Sequence, residues 1–277
     1  METITSPEGR VRGLLVAVGL TVAGFLTAEV MTIPAFLADP TLLESPAAAS
    51  RGTLTAFFVL NFLGFFVAGA AYLAYTGRGW AYVDLRTPTL RDWGYAVGGF
   101  VAGFALLLAV SLLSEAAGVE PTGSQVVDYL GGDSTMVLIM IVVVFLFNAP
   151  AEEFLFRNVI QKRLYDAFSR IGAVLVTSVI FALVHLPLFT LTDEGTLAEP
   201  LAIGVSMSVI FVGSVVFGYV YVKTENLFVP TMAHALFNAF QFGLLYLALE
   251  FGTDDVEGVP AVVEAVGTAI EVAAALL

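Results

Sequence analysis

Residues 136–165 read MVLIMIVVVFLFNAPAEEFLFRNVIQKRLY. Twelve apolar residues and the tetrapeptide NAPA lead into two adjacent carboxylates, Glu152 and Glu153, and then into a basic segment. An apolar run of this kind belongs in a lipid bilayer, where ionisable groups are costly and therefore carry a purpose. The composition of the rest of the chain agrees. It is 58% hydrophobic and 13% charged, with a mean hydropathy of +0.92, against roughly 25% charged residues in an ordinary globular domain.

Working outward from this stretch, apolar windows able to cross about 30 Å of hydrocarbon fall at 13–37, 53–75, 94–114, 135–156, 171–191, 201–222 and 227–250. An eighth, 259–277, is just long enough but carries Glu264 and Glu271 on one helical face. The fold class is thus all-α, a polytopic transmembrane helical bundle of seven to eight helices. No polar connection is long enough to bury a soluble core, so residues 1–277 form a single membrane domain. The first apolar run exceeds a signal-peptide core and reads as a retained helix.

Lys and Arg concentrate in cytoplasmic loops. With the N-terminus cytoplasmic, Arg10, Arg12, Arg78, Arg86, Arg91, Arg157, Lys162, Arg163, Arg170 and Lys223 fall on the inner side and only Arg51 outside. The outer loops hold acidic residues instead. This expectation makes the chain an integral membrane protein, of the plasma membrane, with the bilayer itself as a partner. A net charge of −13 disfavours nucleic acid, and an acidic, lysine-poor surface suits salty surroundings. The absence of Cys removes disulfides and thiolate chemistry.

The polar residues singled out within the spans are Glu29, Glu152, Glu153, His185, His234 and Asn238, with Arg157 close by. If the turn after the fourth span lies near Ser169, Glu152 and His185 stand about equally far from it and face one another in a helical hairpin. His234 reaches a similar depth on the seventh span, with Asn238 its i+4 neighbour. Glu153 suits an i,i+4 ion pair with Arg157, which frees Glu152. Phe181 reads as a packing wall for the His185 imidazole, and Glu29 as structural or snorkelling. Gly94, Gly98, Gly99 and Gly103 read as a close-packing stripe, Gly213 and Ser214 as helix packing, and Pro150, Pro187 and Pro230 as residues that loosen backbone near a cavity.

A carboxylate and an imidazole can orient a water and take its proton, while a second imidazole and an amide stabilise the oxyanion formed on an attacked carbonyl. That combination is suited to peptide hydrolysis. No HExxH is present, and no aspartate lies within the seven spans. Two other classes compete: a proton-coupled transporter, which should leave inverted repeats, and a noncatalytic immunity or scaffold protein.

Glu152-Glu153-x-x-x-Arg157, Phe181-x-x-x-His185 and His234-x-x-x-Asn238, in this order on three spans, resemble the motifs of the CAAX protease and bacteriocin-processing (CPBP) family, related to type II CAAX prenyl endopeptidases. The resemblance covers roughly residues 135–250, the catalytic core. It implies an intramembrane endopeptidase acting on membrane-associated or lipidated substrates, with a cavity open to the cytoplasm and to lipid. Glu152 and His185 would activate water, His234 and Asn238 would form the oxyanion site, and Glu153 with Arg157 would support it. The metal-free glutamate route is preferred, so no cofactor is expected; were zinc used, its ligands would be Glu152, His185 and His234.

Overall fold

The computed structural model describes residues 7–119, 122–190 and 196–251. Within them the chain is helical and contains no strand. The long helices are α1 (Pro7–Ala38), α2 (Arg51–Tyr75), α3 (Leu90–Ala116), α5 (Ser134–Leu164), α6 (Arg170–His185), α7 (Pro200–Thr224) and α8 (Phe228–Phe251), with a short α4 (Gln125–Leu130) between α3 and α5. Counting the 3₁₀ turn Leu186–Phe189 that extends α6, these seven are long and apolar enough to cross a membrane. The eighth candidate, 259–277, lies outside the described residues.

Helix ends reach beyond the apolar windows because caps, not hydropathy, set them. Ser50 accepts from Thr53 N, Asp133 from Thr135 N and Met136 N, and Ser169 from Gly172 N. Thr89 and Asp92 form a reciprocal capping box that starts α3.

Contacts define two ends of the bundle. Gly13 abuts Leu164 and Ala167. The α2–α3 loop is held to the same end through Asp84, which accepts from Lys162 Nζ at 2.7 Å and from Tyr221 hydroxyl at 2.6 Å. Asp84 N also donates to Asn158 Oδ1, and Leu227 N to the Asp84 carbonyl. This is the basic end. At the other, acidic end, Arg51 makes a two-pronged ion pair with Asp133, Nε–Oδ2 2.5 Å and Nη2–Oδ1 3.0 Å. The one basic residue that breaks the charge asymmetry is therefore neutralised by a helix-capping aspartate.

Helix α5 is the axis of the bundle and is not uniformly α-helical. It widens into π geometry at Val144–Asn148 and again at Phe154–Gln161, with α-helical turns between and after. Pro150 has no N–H and its ring crowds the preceding turn, so an α-helix must widen or kink there, and the first π segment lies directly before it. All eight residues of the second π segment are buried. Their neighbours come from α1, α2, α6 and α7.

Close approach depends on small residues. A Cβ on Gly64 of α2 would sit 2.3 Å from Ala28 Cα of α1, and Thr27 Oγ1 donates to the Gly64 carbonyl at 2.8 Å across this contact. The expected glycine stripe on α3 is only half used for packing. Gly99 meets Ala233 and Val220, and Gly103 meets Phe237, whereas nothing lies within 4 Å of a Cβ added to Gly94 or Gly98. Those two stand on the other side of the helix.

Candidate active site

Glu152 and Glu153 occupy the turn of α5 between its two π segments, so their side chains leave the helix about 100° apart. Glu153 is fully buried and fixed on both sides. Its Oε2 accepts from Arg157 Nε at 2.9 Å, and its Oε1 lies 2.9 Å from His234 Nδ1. Arg157 is also fully buried, donates from Nη2 to Ser214 Oγ at 3.1 Å, and places its guanidinium carbon 5.3 Å from the centre of the Phe181 ring. Two opposite charges in a dry helix core are tolerable only as a hydrogen-bonded pair.

From Glu153 a chain of hydrogen bonds leads back to Glu152. Asn238 Nδ2 lies 3.1 Å from His234 Nε2 and 3.1 Å from Asn148 Oδ1, and Asn148 Nδ2 donates to Glu152 Oε1 at 2.9 Å. With both glutamates ionised, and so accepting only, every direction in the chain is determined. Asn148 gives its N–H to Glu152, hence presents its oxygen to Asn238. Asn238 therefore presents its NH₂ to both Asn148 and His234. His234 accepts at Nε2 and donates its Nδ1 proton to Glu153. The ring of His234 is further held by stacking on Phe217, 5.0 Å between centres.

His185 reaches the site from the last turn of α6. Its Nδ1 donates to the Phe181 carbonyl at 2.7 Å, which leaves a lone pair on Nε2. The Phe181 ring packs on the imidazole at 4.6 Å between centres. Glu152 and His185 both line two cavities. One, about 160 Å³, also takes in Asn148, Ser214, His234 and Asn238. The other, about 420 Å³, runs between α1, α2 and α4.

Both cavities extend from Glu152 past residues such as Val126 and Leu188, toward the acidic end. On the basic side Phe154–Gln161 are closed off from solvent, and the α2–α3 loop covers that end, with Trp80 stacked on Phe154.

The structure brings together Glu152, Glu153, Arg157, His234 and Asn238, with His185 and Phe181 on the facing helix. Two further residues belong to the site. Asn148 joins Glu152 to Asn238; its position four residues before Glu152, on the same helical face, is the signal that marks it in the sequence. Ser214 holds Arg157, and nothing in its sequence context distinguishes it from a packing serine.

The three zinc-ligand candidates do not close on an ion as they stand. Both nitrogens of His234 are engaged, its Nε2 is 3.9 Å from Glu152 Oε2, and among the described residues no three His, Asp or Glu side chains converge to hold a metal.

A buried carboxylate pair, two imidazoles and two amides thus stand around a cavity inside a bundle whose described residues include seven helices long and apolar enough to cross a membrane. Residues 134–240 match the family model described as type II CAAX prenyl endopeptidase Rce1-like, and this match supports the resemblance to the CAAX protease and bacteriocin-processing family. Comparison with curated proteins finds no match, and comparison with solved structures finds none either.

Proposed function

We propose that this protein is an intramembrane endopeptidase that hydrolyses peptide bonds of membrane-associated substrates, prenylated CAAX-type segments among them. The observation that carries the reading is the position of Glu152: its carboxylate is buried, oriented by Asn148, and lines both cavities together with His185. A water held between Glu152 and His185 Nε2 attacks the scissile carbonyl carbon while Glu152 takes its proton. The carbonyl π electrons move to oxygen. When the tetrahedral adduct collapses, the C–N bond breaks and Glu152 returns the proton to the leaving amine. His234 and Asn238 form the oxyanion side, where Asn238 donates from its amide and His234 donates only once Nε2 is protonated, its Nδ1 proton staying in the bond to Glu153. Asn238 must release one of its two N–H bonds to serve the oxyanion.

The charge distribution supports an N-terminus in the cytoplasm of a cell whose plasma membrane holds the bundle, with the site in the half nearer the basic, cytoplasmic end. The test is cleavage of quenched fluorogenic peptides, with and without a prenyl group, by purified protein in detergent. Wild type should cut at least one class, and Glu152→Ala should cut none while keeping the thermal stability of the parent. Cleavage that persists in Glu152→Ala removes the mechanism; a preference for unprenylated peptides removes the CAAX assignment.

A further inference from the structure

The larger cavity holds a carboxylate that the hydrolytic reaction does not use. Glu29 of α1 lines it, is exposed, and forms no ion pair among the described residues. An ionisable side chain well inside a membrane span and facing a cavity calls for a counterpart.

Its place relative to Glu152 follows from packing. Gly24 of α1 abuts Leu155 of α5. The two helices run in opposite directions, so Glu29 lies about 7.5 Å beyond that contact toward the acidic end, and Glu152 about 4.5 Å. The two carboxylates therefore stand at nearly one depth. They are separated across the cavity by on the order of 10 Å, the spacing of packed helices. The cavity they share has an aromatic wall: Phe25, Phe58, Phe62 and Phe65 line it, with Asn61 and Tyr129 among its neutral polar groups. No Lys or Arg lines either cavity.

A carboxylate set among aromatic rings suits a cation, which gains from the ring faces as well as from the opposite charge. An anion would meet two carboxylates and no basic group. Extended peptide advances about 3.4 Å per residue, so a side chain reaching Glu29 belongs to a residue within about three of the bond presented to Glu152.

We propose that the cavity bordered by Glu29 is a substrate subsite that selects an apolar segment carrying a Lys or Arg within about three residues of the scissile bond. The proposal rests on the hydrolytic reading and names the substrate class for it. Glu29 is then a specificity residue.

The experiment uses full-length protein in detergent and a set of apolar decapeptides in which one position at a time is Lys, Ala or Glu. Binding is read by thermal stabilisation and cleavage by mass spectrometry. At one position the Lys peptide should bind wild type roughly ten- to a hundredfold more tightly than its Ala counterpart, the scale of a charge-assisted contact, and the Glu peptide more weakly than either. Glu29→Gln should erase the Lys-over-Ala ratio and Glu29→Lys should reverse it. Equal binding of the three peptides at every position, no binding at all, or a Lys preference that survives in Glu29→Gln overturns the subsite. Selective binding without cleavage keeps the subsite and removes the protease; cleavage without charge selectivity does the reverse.

Discussion

Glu153 Oε1 lies 2.9 Å from His234 Nδ1, so the second glutamate of the pair fixes the tautomer of an imidazole that the first one works beside. The same carboxylate neutralises Arg157, whose side chain is fully buried. Removing the arginine would leave a carboxylate with no counter-charge in a dry core, a loss of about 3–5 kcal/mol. Arg157→Ala should therefore express poorly and melt well below wild type in detergent. A variant that melts like wild type and fails only in turnover would show that Arg157 acts on the chemistry directly.

Asn148 is the hinge of the hydrogen-bond chain between the water-activating and oxyanion sides. Its bond to an ionised carboxylate has the strength of a charge-assisted contact, about 1.5–3 kcal/mol. Asn148→Ala should lower kcat/KM roughly ten- to a hundredfold, mostly through kcat, because Glu152 loses its orientation and keeps its charge. Asn238→Ala, which removes an oxyanion donor, should cost on the order of 10² to 10³ in rate. If Asn148→Ala instead changes KM alone, its role is in binding.

The spans and the Glu152, Glu153, His185, His234 and Asn238 set are legible in the sequence for one physical reason: polar groups inside apolar windows stand out. The same contrast hides other parts of the site. Ser214 is small and neutral and reads like any packing residue, although it holds the buried arginine. Asn148 lies four residues before Glu152, which is the one signal of its role, but it stands two residues before Pro150 and so resembles the start of a loop. Glu29 is visible as an isolated acid, but the cavity it borders forms only when α1, α2, α4 and α6 assemble.

Asp133 offers a pH-dependent test at the acidic end. Its hydrogen bond from Arg51 comes first among the causes that hold its carboxyl below the ordinary aspartate range. A carboxyl held low binds its proton more weakly when folded than when unfolded. The stabilisation is therefore complete above roughly pH 4, the unfolded value, and is lost as pH falls through the lower folded value. Arg51→Ala should melt below wild type at neutral pH, and the difference should shrink steadily below about pH 4. The gap should also narrow with added salt, since both side chains are solvent-accessible. A difference unchanged from pH 7 to pH 3 would assign the arginine's effect to packing.

Metal dependence divides two chemistries that the same residues could serve. A zinc route needs Glu152, His185 and His234 as ligands, each giving a free lone pair to one point. His234 meets that demand only if Asn238 leaves its Nε2, whose lone pair the amide occupies in the hydrogen-bonded arrangement. The hydrogen-bonded arrangement and the metal site are thus mutually exclusive states of one imidazole. If the arrangement described here is the working one, a zinc chelator should leave hydrolysis unchanged, purified protein should hold well under one zinc per chain, and Asn238→Ala should not raise that content. One tightly held zinc per chain, lost in His185→Ala and needed for cleavage, would replace the glutamate mechanism with a metal-centred one and recast Asn238 as a residue that competes with the metal.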